Sequence, residues 1–346
     1  MSNIIQKNHD YKKFVIDSRL RYFKPHATKI EKTFAEEISS SLNGDSKYID
    51  PKFFYDKKGS ELFEKICLLS EYYPTRTEIS ILEQLQSDLS DYVDDSFRLV
   101  ELGSGSSTKT RLILDVFKKF QMPLEYFPID ISEILTESSE QLLSDYHNLH
   151  ITGIIDTYEG GLEFLKNYDS KKNLILFLGS SFGNFTPDDG AAFLKKIRST
   201  MKSGDLFLIG LDLVKDSSVL ESAYNDLEGV TAQFNLNVLS RINDELDADF
   251  SLKNFSHYAI YNEKKQRVEM YLKSLVNQSV IVSKSNLLLN LEKNELIHTE
   301  HSHKFTLSQI SELLGSTGFQ IKQTWLDDNK HFSLTLASKS MSFKSV

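Results

Sequence analysis

The chain has 346 residues, of which 40% are hydrophobic and 26% charged, the balance of an ordinary globular protein with two domains or one elaborated domain. Its formal net charge of -9 and its pI near 5.6 argue against broad contact with nucleic acid or with an anionic membrane. Its one cysteine, Cys67, excludes an internal disulfide, and the apolar neighbours of Cys67 are typical of a buried structural thiol.

The N-terminal residues lack the basic-then-apolar pattern of a secretion signal, and no apolar run is long enough to cross a bilayer. We therefore expect a soluble, cytoplasmic and monomeric protein without membrane or nucleic-acid partners. Residues 1 to about 15 are polar and are expected to be loosely packed. The stretch from 16 to 46 is charged and is expected to be mostly helical.

Two aromatic segments precede the first strongly apolar strand. In the first, after Pro51, Ser60 is expected to cap a helix that carries Phe63 and Ile66 on one face. In the second, Pro74 is expected to hold Tyr73 extended. Thr77 is then expected to cap a helix from Ile79 to Leu89.

Strands and helices alternate from residue 97 onward. The predicted elements are strand 97–102, helix 107–119, strand 125–129, helix 132–145, strand 149–154, helix 160–167, strand 173–178, helix 187–202 and strand 205–211. Near-continuous apolar strands between amphipathic helices indicate a parallel sheet that is covered on both faces.

A glycine turn, Gly103-Ser104-Gly105, follows the first of these strands. Ser106, Ser107 and Thr108 are candidates to cap the next helix. About 25 residues later the second strand ends in Asp130. A glycine turn after one strand and a carboxylate after the next are typical of a nucleoside site, since the carboxylate can accept hydrogen bonds from ribose hydroxyls.

The turn departs from the full dinucleotide fingerprint, because the third glycine position is Thr108. Its absence argues against NAD and favours S-adenosylmethionine, which has ribose and adenine but no phosphate. An ordinary turn followed by a surface aspartate is the alternative. Asp156 and the loop from Gly179 to Phe185 are also expected at carboxyl ends of strands, where ligands of such sheets bind.

The pattern changes after about residue 214. A long helix over 221–246 is predicted, then strands 266–272 and 279–282, a helix 307–317 and final strands 319–325 and 331–337. We expect one domain to be inserted into the other. The sheet domain would comprise 77–214 plus 304–346, and the second domain 16–76 plus 215–303.

Five stretches resemble the histidine-specific Nα-methyltransferase family, whose members use S-adenosylmethionine to make trimethylhistidine (hercynine) in the first step of ergothioneine biosynthesis. They are Tyr55–Phe63, Tyr72–Glu78, Glu101–Gly105, Gly179–Phe185 and Thr299–Phe305. The resemblance spans about 15 to 340. It implies an α/β fold: a Rossmann-like seven-stranded class I methyltransferase core with an inserted α+β substrate-binding domain.

The resemblance also implies a role for each matching residue. The cofactor contacts would be Gly103, Lys109, Asp130 at the ribose and Asp156 at the adenine, with Thr157 where the family often has an aromatic residue. Tyr72 and Gly179 would line the cavity shared by cofactor and substrate. Asn184 and Tyr224 would bind the substrate carboxylate, Glu300 and Ser302 the imidazole, and Met270 would pack against the ring. Tyr55 and Phe63 would lie near the amine, as the catalytic residues.

The chemistry of methyl transfer agrees with these roles. The enzyme must hold an unprotonated amine in line with the sulfonium methyl group, and Tyr55 is the candidate proton acceptor. The ring of Phe63 can favour the growing cation. On a strand, Glu300 and Ser302 face the same way. Glu300 can accept from one imidazole N–H, and Ser302 can bond the other nitrogen.

Other interpretations remain. The same fold could act on another amino acid or amine, or bind its ligands as a non-catalytic sensor. His298, His301 and His303 could be metal ligands, but strand alternation puts His301 and His303 opposite Glu300, so no metal is expected. Asp188 and Asp189 follow Pro187 and indicate a helix N-terminus.

Overall fold

The computed structural model describes residues 11–26, 32–105, 107–120, 123–131 and 134–341. The strands are β1 (Tyr11–Val15), β2 (Leu20–Pro25), β3 (Phe97–Leu102), β4 (Leu124–Asp130), β5 (Leu149–Ile155), β6 (Lys172–Phe177), β7 (Leu206–Asp212), β8 (Phe255–Asn262), β9 (Arg267–Ser274), β10 (Gln278–Val282), β11 (Leu287–Leu291), β12 (Leu296–His303), β13 (Phe319–Leu326) and β14 (Phe332–Lys339).

The helices are α1 (Phe34–Leu42), α2 (Lys57–Leu68), α3 (Tyr73–Gln84), α4 (Gln86–Leu89), α5 (Thr108–Phe117), α6 (Ile134–Asp145), α7 (Tyr158–Lys166), α8 (Pro187–Thr200), α9 (Ser217–Tyr224), α10 (Val230–Leu246) and α11 (Leu307–Ser316). Every strand and helix expected between residues 97 and 211 is present, with ends shifted by a few residues. Ser106 and the expected helix start at residue 132 lie outside the described residues.

The main sheet has the strand order β1-β2-β5-β4-β3-β6-β7-β14-β13. Strands β5, β4, β3, β6 and β7 run parallel, β14 runs antiparallel to β7, and β13 runs antiparallel to β14 and so in the direction of the others. The seven strands from β5 to β13 form the predicted class I methyltransferase core. Because the order reverses around β3, the ends of β3, β4 and β6 border one crevice, which is where open α/β sheets bind ligands.

The N-terminal hairpin corrects two expectations. Strand β2 pairs in parallel with β5, and β1 pairs with β2, so the main sheet has nine strands among the described residues. Over the described part of 16–46 the prediction of mostly helical structure was wrong except for α1. Residues 11–15, expected to be loosely packed, form a strand, and residues 1–10 and 27–31 lie outside the described part of the chain. Both strands carry basic residues, as edge strands often do. These residues, Lys12, Lys13 and Arg21, conceal the alternation of apolar and polar side chains that would indicate a strand.

Two predicted helix starts were also wrong. Helix α2 begins at Lys57 because the Asp56 carboxylate, and not Ser60, accepts the N–H of Gly59 at 2.6 Å. Helix α3 begins at Tyr73, so Pro74 lies inside the first turn, where proline is tolerated. Thr77 is therefore inside α3 and donates its hydroxyl to the Tyr73 carbonyl at 2.7 Å.

The helix expected over 221–246 is interrupted. Helix α9 ends at Tyr224 and α10 begins at Val230. The Asp226 carboxylate accepts the N–H groups of Val230 and Thr231, both at 2.8 Å, and so satisfies the start of α10. This break places Tyr224 at the end of one helix and not within a longer one.

Beside the main sheet lie a three-stranded sheet, β12-β9-β8, and a two-stranded sheet, β10-β11. One buried apolar cluster joins side chains from the ranges 38–73 and 220–297, and two further clusters cover the faces of the main sheet. The exact domain boundaries stay a prediction, and β2, assigned to the second domain, pairs with the main sheet. No helix within the described ranges is long and apolar enough to cross a membrane.

Candidate active site

A cavity of about 3120 Å³ opens at the carboxyl ends of β3, β4 and β6. Its wall is built from side chains of the segments 46–53, 55–79, 101–109, 157–159 and 177–196. Cavities that hold one small molecule usually measure about 300–1,000 Å³. This cavity is therefore large enough for two ligands side by side.

The glycine turn after β3 borders the cavity. Gly103 has φ +75°, and a Cβ at this position would lie 2.7 Å from the Tyr158 hydroxyl, so glycine is required here. The Ser104 hydroxyl is buried against the cavity and has no hydrogen-bond partner among the described residues. A buried hydroxyl without a partner beside a cavity suits a ligand that would satisfy it.

The predicted capping of α5 was wrong for the residues that the structure describes. Ser107 occupies the N-cap position with φ 58°, but its side chain makes no capping hydrogen bond, and Thr108 is already the first helical residue. The first backbone N–H groups of α5 therefore find no acceptor in the Ser107 side chain.

Glu101 lies beneath the turn, near the end of β3. One of its carboxylate oxygens accepts hydrogen bonds from Thr110 at 2.7 Å and from the Tyr126 hydroxyl. Burial raises the pKa of Glu101 to about 7 despite these two donors. Glu101 fixes the strand end and its neighbouring helix and also contributes to the cavity wall.

Lys109 is held by a carboxylate that sequence reasoning did not assign. Its ammonium lies 2.8 Å from the carboxylate of Glu78, which also accepts the N–H of Gly179 at 2.9 and 3.0 Å. Burial is the largest single influence and favours the neutral amine of Lys109, but the charge of Glu78 and the hydrogen bond to it, with smaller contributions from Cys67 and Glu101, together outweigh it, and the pKa of Lys109 is raised. Glu78 thus connects α3 with two predicted cofactor contacts.

The two aspartates that follow β4 and β5 differ in their surroundings. Asp130 lines the cavity, and after burial its charge is the largest cause of the raised pKa of Tyr158. Asp156 is bound by the Tyr11 hydroxyl and by the N–H of Thr157 at 2.7 Å, and it is not part of the cavity wall. Thr157 lies on the wall and caps α7 through Gly160 N–H.

Three aromatic side chains, Tyr55, Phe63 and Tyr72, form one wall of the cavity. The ring centroids of Tyr55 and Phe63 are 5.7 Å apart, and those of Phe63 and Tyr72 are 6.3 Å apart. Although Tyr55 is 42% exposed, desolvation of its hydroxyl inside the cavity and then the charge of Glu300 raise its pKa, and the hydroxyl stays protonated at neutral pH. Tyr55 can accept a proton only if it passes its own proton on.

Glu300 and Ser302 lie on one buried face of β12, as predicted. A bulge at Thr299 separates them from His298, and Glu300 is the register partner of Met270 on β9. No hydrogen bond from any described residue reaches the Glu300 carboxylate, which is only 9% exposed. Burial raises the pKa of Glu300 to about 7, although the nearby charge of Lys304 opposes this shift.

Asn184 reaches the site because a short helical turn, Ser181–Asn184, packs tightly against β12. A Cβ on Gly183 would lie 2.9 Å from the His303 carbonyl and 3.2 Å from the Ser302 hydroxyl. Only glycine allows this close approach, and it places Asn184 on the cavity wall next to β12.

The predicted residues fall into two layers. Those on the cavity wall are Tyr55, Phe63, Tyr72, Gly103, Lys109, Asp130, Thr157, Gly179 and Asn184. Those in a buried layer away from the wall are Tyr224, Met270, Glu300 and Ser302. The rings of Tyr72 and Tyr224, 6.2 Å apart, connect the two layers. Asp156 belongs to neither.

Sequence reasoning missed an ionic cluster behind this buried layer. Lys304 lies 2.8 Å from Asp212, at the end of β7, and Lys215 pairs with the same carboxylate. Both Asp212 and Lys304 are fully buried as side chains. The available sequence signal was Lys304, a charged residue directly after the buried strand β12, but its partner Asp212 is distant in sequence.

The three histidines of β12 lie on the other face of the strand. His298 and His301 stack with ring centroids 5.7 Å apart, and burial lowers the pKa of His298 and of His303 to about 4. Over the described part of the chain, no three His, Cys, Asp or Glu side chains are arranged to hold a metal ion.

Known proteins resemble this chain over most of its length. The family model described as "Histidine-specific methyltransferase, SAM-dependent" matches residues 34–339. The chain is 38% identical over 304 residues to a histidine N-alpha-methyltransferase of Mycobacterium tuberculosis, covering 88% of this chain and 94% of that protein. The corresponding protein of Mycolicibacterium smegmatis is 37% identical over 302 residues, covering 87% and 93%.

A more distant relative carries a different substrate in its name. The chain is 26% identical over 314 residues to an L-tryptophan methyltransferase of Psilocybe serbica, covering 84% of this chain and 87% of that protein.

Proposed function

Because the chain belongs to the histidine-specific, S-adenosylmethionine-dependent methyltransferase family, we propose that it transfers three methyl groups to the α-amine of L-histidine. The product would be trimethylhistidine, the precursor of ergothioneine. The observation that carries the proposal is the buried Glu300 carboxylate, to which no described residue donates a hydrogen bond. A carboxylate removed from water needs such a donor, and an imidazole N–H supplies one.

The cavity wall fits S-adenosylmethionine. The unpartnered Ser104 hydroxyl and the glycine turn would lie against it, and Asp130 would accept from its ribose hydroxyls. Lys109, Gly179 and Tyr72 would border its amino-acid end, and Thr157 would border the adenine, with Asp156 behind the wall next to Thr157. When bound, the cofactor supplies a methyl group that the sulfonium has already activated.

The buried layer suits histidine. Glu300 would accept from one ring nitrogen and Ser302 would bond the other, with Met270 packed against the ring. Asn184 and Tyr224 would bind the carboxylate. A substrate without ring nitrogens would leave Glu300 unpaired, and this penalty supports selection of histidine over isosteres.

The aromatic wall suits the amine. Removal from bulk water lowers the pKa of an amine, which favours the unprotonated form that attacks the methyl group. Tyr55 would accept a hydrogen bond from the amine through its hydroxyl oxygen, and would release its own proton to water in the cavity as it takes up the proton of the amine. The ring of Phe63 would stabilise the positive charge that grows with each methylation.

Methylation of a different amino acid is the second candidate. It is favoured by the tryptophan methyltransferase among the relatives. A non-catalytic sensor would bind the same ligands without forming product.

The test is mass spectrometry of the purified protein incubated with S-adenosylmethionine and an equimolar mixture of amino acids. Histidine alone should gain one, two and then three methyl groups. Methyl groups on another amino acid would overturn the histidine assignment and keep the cofactor. Cofactor binding without any methylated product would favour a sensor.

A further inference from the structure

Lys304 has three hydrogen-bond partners in the buried layer of the site. Its ammonium lies 2.8 Å from the Asp212 carboxylate, 2.9 Å from the Ser302 hydroxyl oxygen and 3.1 Å from the Tyr224 hydroxyl oxygen. An ammonium has three protons to donate and none to accept. Lys304 therefore donates one proton to each partner and has no further proton for a substrate.

This arrangement constrains the two hydroxyl groups. Each hydroxyl oxygen accepts a hydrogen bond from Lys304, so its own proton points away from the ammonium. A ligand atom that accepts a hydrogen bond can then satisfy either hydroxyl proton.

We propose that Lys304 is a positioning residue that makes Ser302 and Tyr224 hydrogen-bond donors, so that the site binds the neutral imidazole ring. The bare ring nitrogen would face Ser302, the ring N–H would face Glu300, and Tyr224 would donate to the substrate carboxylate. The inference rests on the proposed function, because it specifies which protonation form of histidine this site accepts.

The charges around the site favour the same form. Lys304 lies next to Ser302, so an imidazolium at Ser302 would face a like charge. The Asp212 carboxylate offsets this charge only in part, because it also pairs with Lys215, whose pKa burial lowers to about 8 and which is still mostly protonated at neutral pH. The three tyrosines around Glu300 (Tyr55, Tyr72 and Tyr224) have raised pKa values and stay neutral. Within the described layer, Glu300 is thus the only negatively charged group that can pair with a ring N–H.

Lys215 offers a matched control. It is buried like Lys304 and lies 2.5 Å from the same Asp212 carboxylate. Its other partners are the Tyr73 hydroxyl at 2.6 Å and the Leu213 carbonyl at 2.5 Å, so it touches neither Ser302 nor Tyr224. Loss of either lysine removes one cation from Asp212, but only loss of Lys304 releases the two hydroxyls.

The first experiment compares Lys304→Met with Lys215→Met. We expect Lys304→Met to raise the KM for histidine about 30-fold, an effect typical of a lost charged hydrogen bond, with the Kd of the cofactor unchanged. Lys215→Met should change the histidine KM by less than about threefold. The double variant Lys304→Met/Ser302→Ala should be little worse than the poorer single variant, because both act on one hydrogen bond.

An unchanged histidine KM in Lys304→Met would overturn the inference. Equal rises in both lysine variants would also overturn it, since they would show a general effect of the ionic cluster on folding. If the wild-type protein does not methylate histidine, the proposed function fails first, which the mass-spectrometric test detects separately.

The second experiment uses only the wild-type protein and so does not depend on a variant that folds. Trimethylhistidine has no titratable amine, and its ring is neutral at pH 8.5. Its binding to the protein saturated with S-adenosylhomocysteine is measured by calorimetry in two buffers of different ionisation enthalpy. We expect no net proton uptake. Uptake of about one proton would mean that the imidazolium is bound, and the inference would be wrong.

Discussion

Glu300 and Met270 are register partners on the neighbouring strands β12 and β9, so a buried carboxylate lies beside a buried thioether. Partners in an antiparallel pair point to the same face of the sheet. A flat ring placed here can bond through its edge to Glu300 while its face packs on Met270. The two side chains would therefore give a ring substrate one polar and one apolar contact from neighbouring strands.

Replacement of Glu300 should separate substrate from cofactor binding. Glu300→Ala is expected to raise the KM for histidine about 10- to 100-fold, because a charged hydrogen bond to the ring is lost. The Kd of S-adenosylmethionine, measured by calorimetry, should not change. Glu269→Ala is the control, because Glu269 is also buried but bonds Arg267 and Tyr271 on the other face. Loss of cofactor binding in Glu300→Ala would contradict the assignment.

The raised pKa of Glu300 predicts a stability effect that depends on pH. Burial raises this pKa to about 7, so the folded protein binds the proton more tightly than the unfolded chain. The associated stability is present below the ordinary glutamate pKa and is lost as the pH rises through about 7. At pH 8 the ligand-free Glu300→Gln variant should therefore be more stable than wild type, by on the order of 2 kcal/mol.

At pH 4.5 most of this advantage should disappear, because Glu300 is then protonated in the folded protein and about half protonated in the unfolded chain. Chemical denaturation of both proteins at the two pH values measures the difference. An equal difference at pH 4.5 and pH 8 would mean that the effect has another source.

Asp130 should act on the cofactor alone. Asp130→Ala is expected to weaken S-adenosylmethionine binding by roughly 1.5–3 kcal/mol, through loss of charged hydrogen bonds to the ribose. Asp188→Ala, at an exposed aspartate in the first turn of α8, is the control and should bind normally. Calorimetry gives both constants. A Kd unaffected by Asp130→Ala would remove this residue from the site.

Glu78 should couple stability to cofactor binding. Glu78→Gln leaves the Lys109 ammonium without its carboxylate and weakens the contact with Gly179 N–H. We expect the free energy of unfolding to fall by about 2–4 kcal/mol and the cofactor Kd to rise. Glu83→Gln, on the exposed face of the same helix, should leave both quantities unchanged. Normal stability in Glu78→Gln would show that the ion pair contributes little.

The elements that the sequence predicted well share one property: their pattern is local and strong. Strands such as β3 and β7 are buried along their whole length and consist mostly of apolar residues. Strand β8, with the sequence Phe-Ser-His-Tyr-Ala-Ile-Tyr-Asn, is only half-buried and was missed because its polar positions conceal the alternation. Edge strands β1 and β2 were missed for the same reason.

For the candidate site, the resemblance identified the residues, but only the fold shows which side chains they contact. Glu300 and Ser302 were predicted to share a face because alternation along one strand is a local property. The contacts of Lys304 could not be predicted, since Asp212 is 92 positions away (304 minus 212) and on another sheet. Likewise, Tyr11 meets Asp156 only because the N-terminal hairpin joins the main sheet.

The pairing of β7 with β14 has a consequence for synthesis. Asp212 is the register partner of Phe332, so about 120 residues (332 minus 212) must be made between the two strands. Until the later strand emerges from the ribosome, the mostly apolar β7 has an unpaired edge. High sequence separation of contacts slows folding, and exposed edges favour aggregation. The nascent chain is therefore most dependent on chaperones while residues 213–331 are being translated.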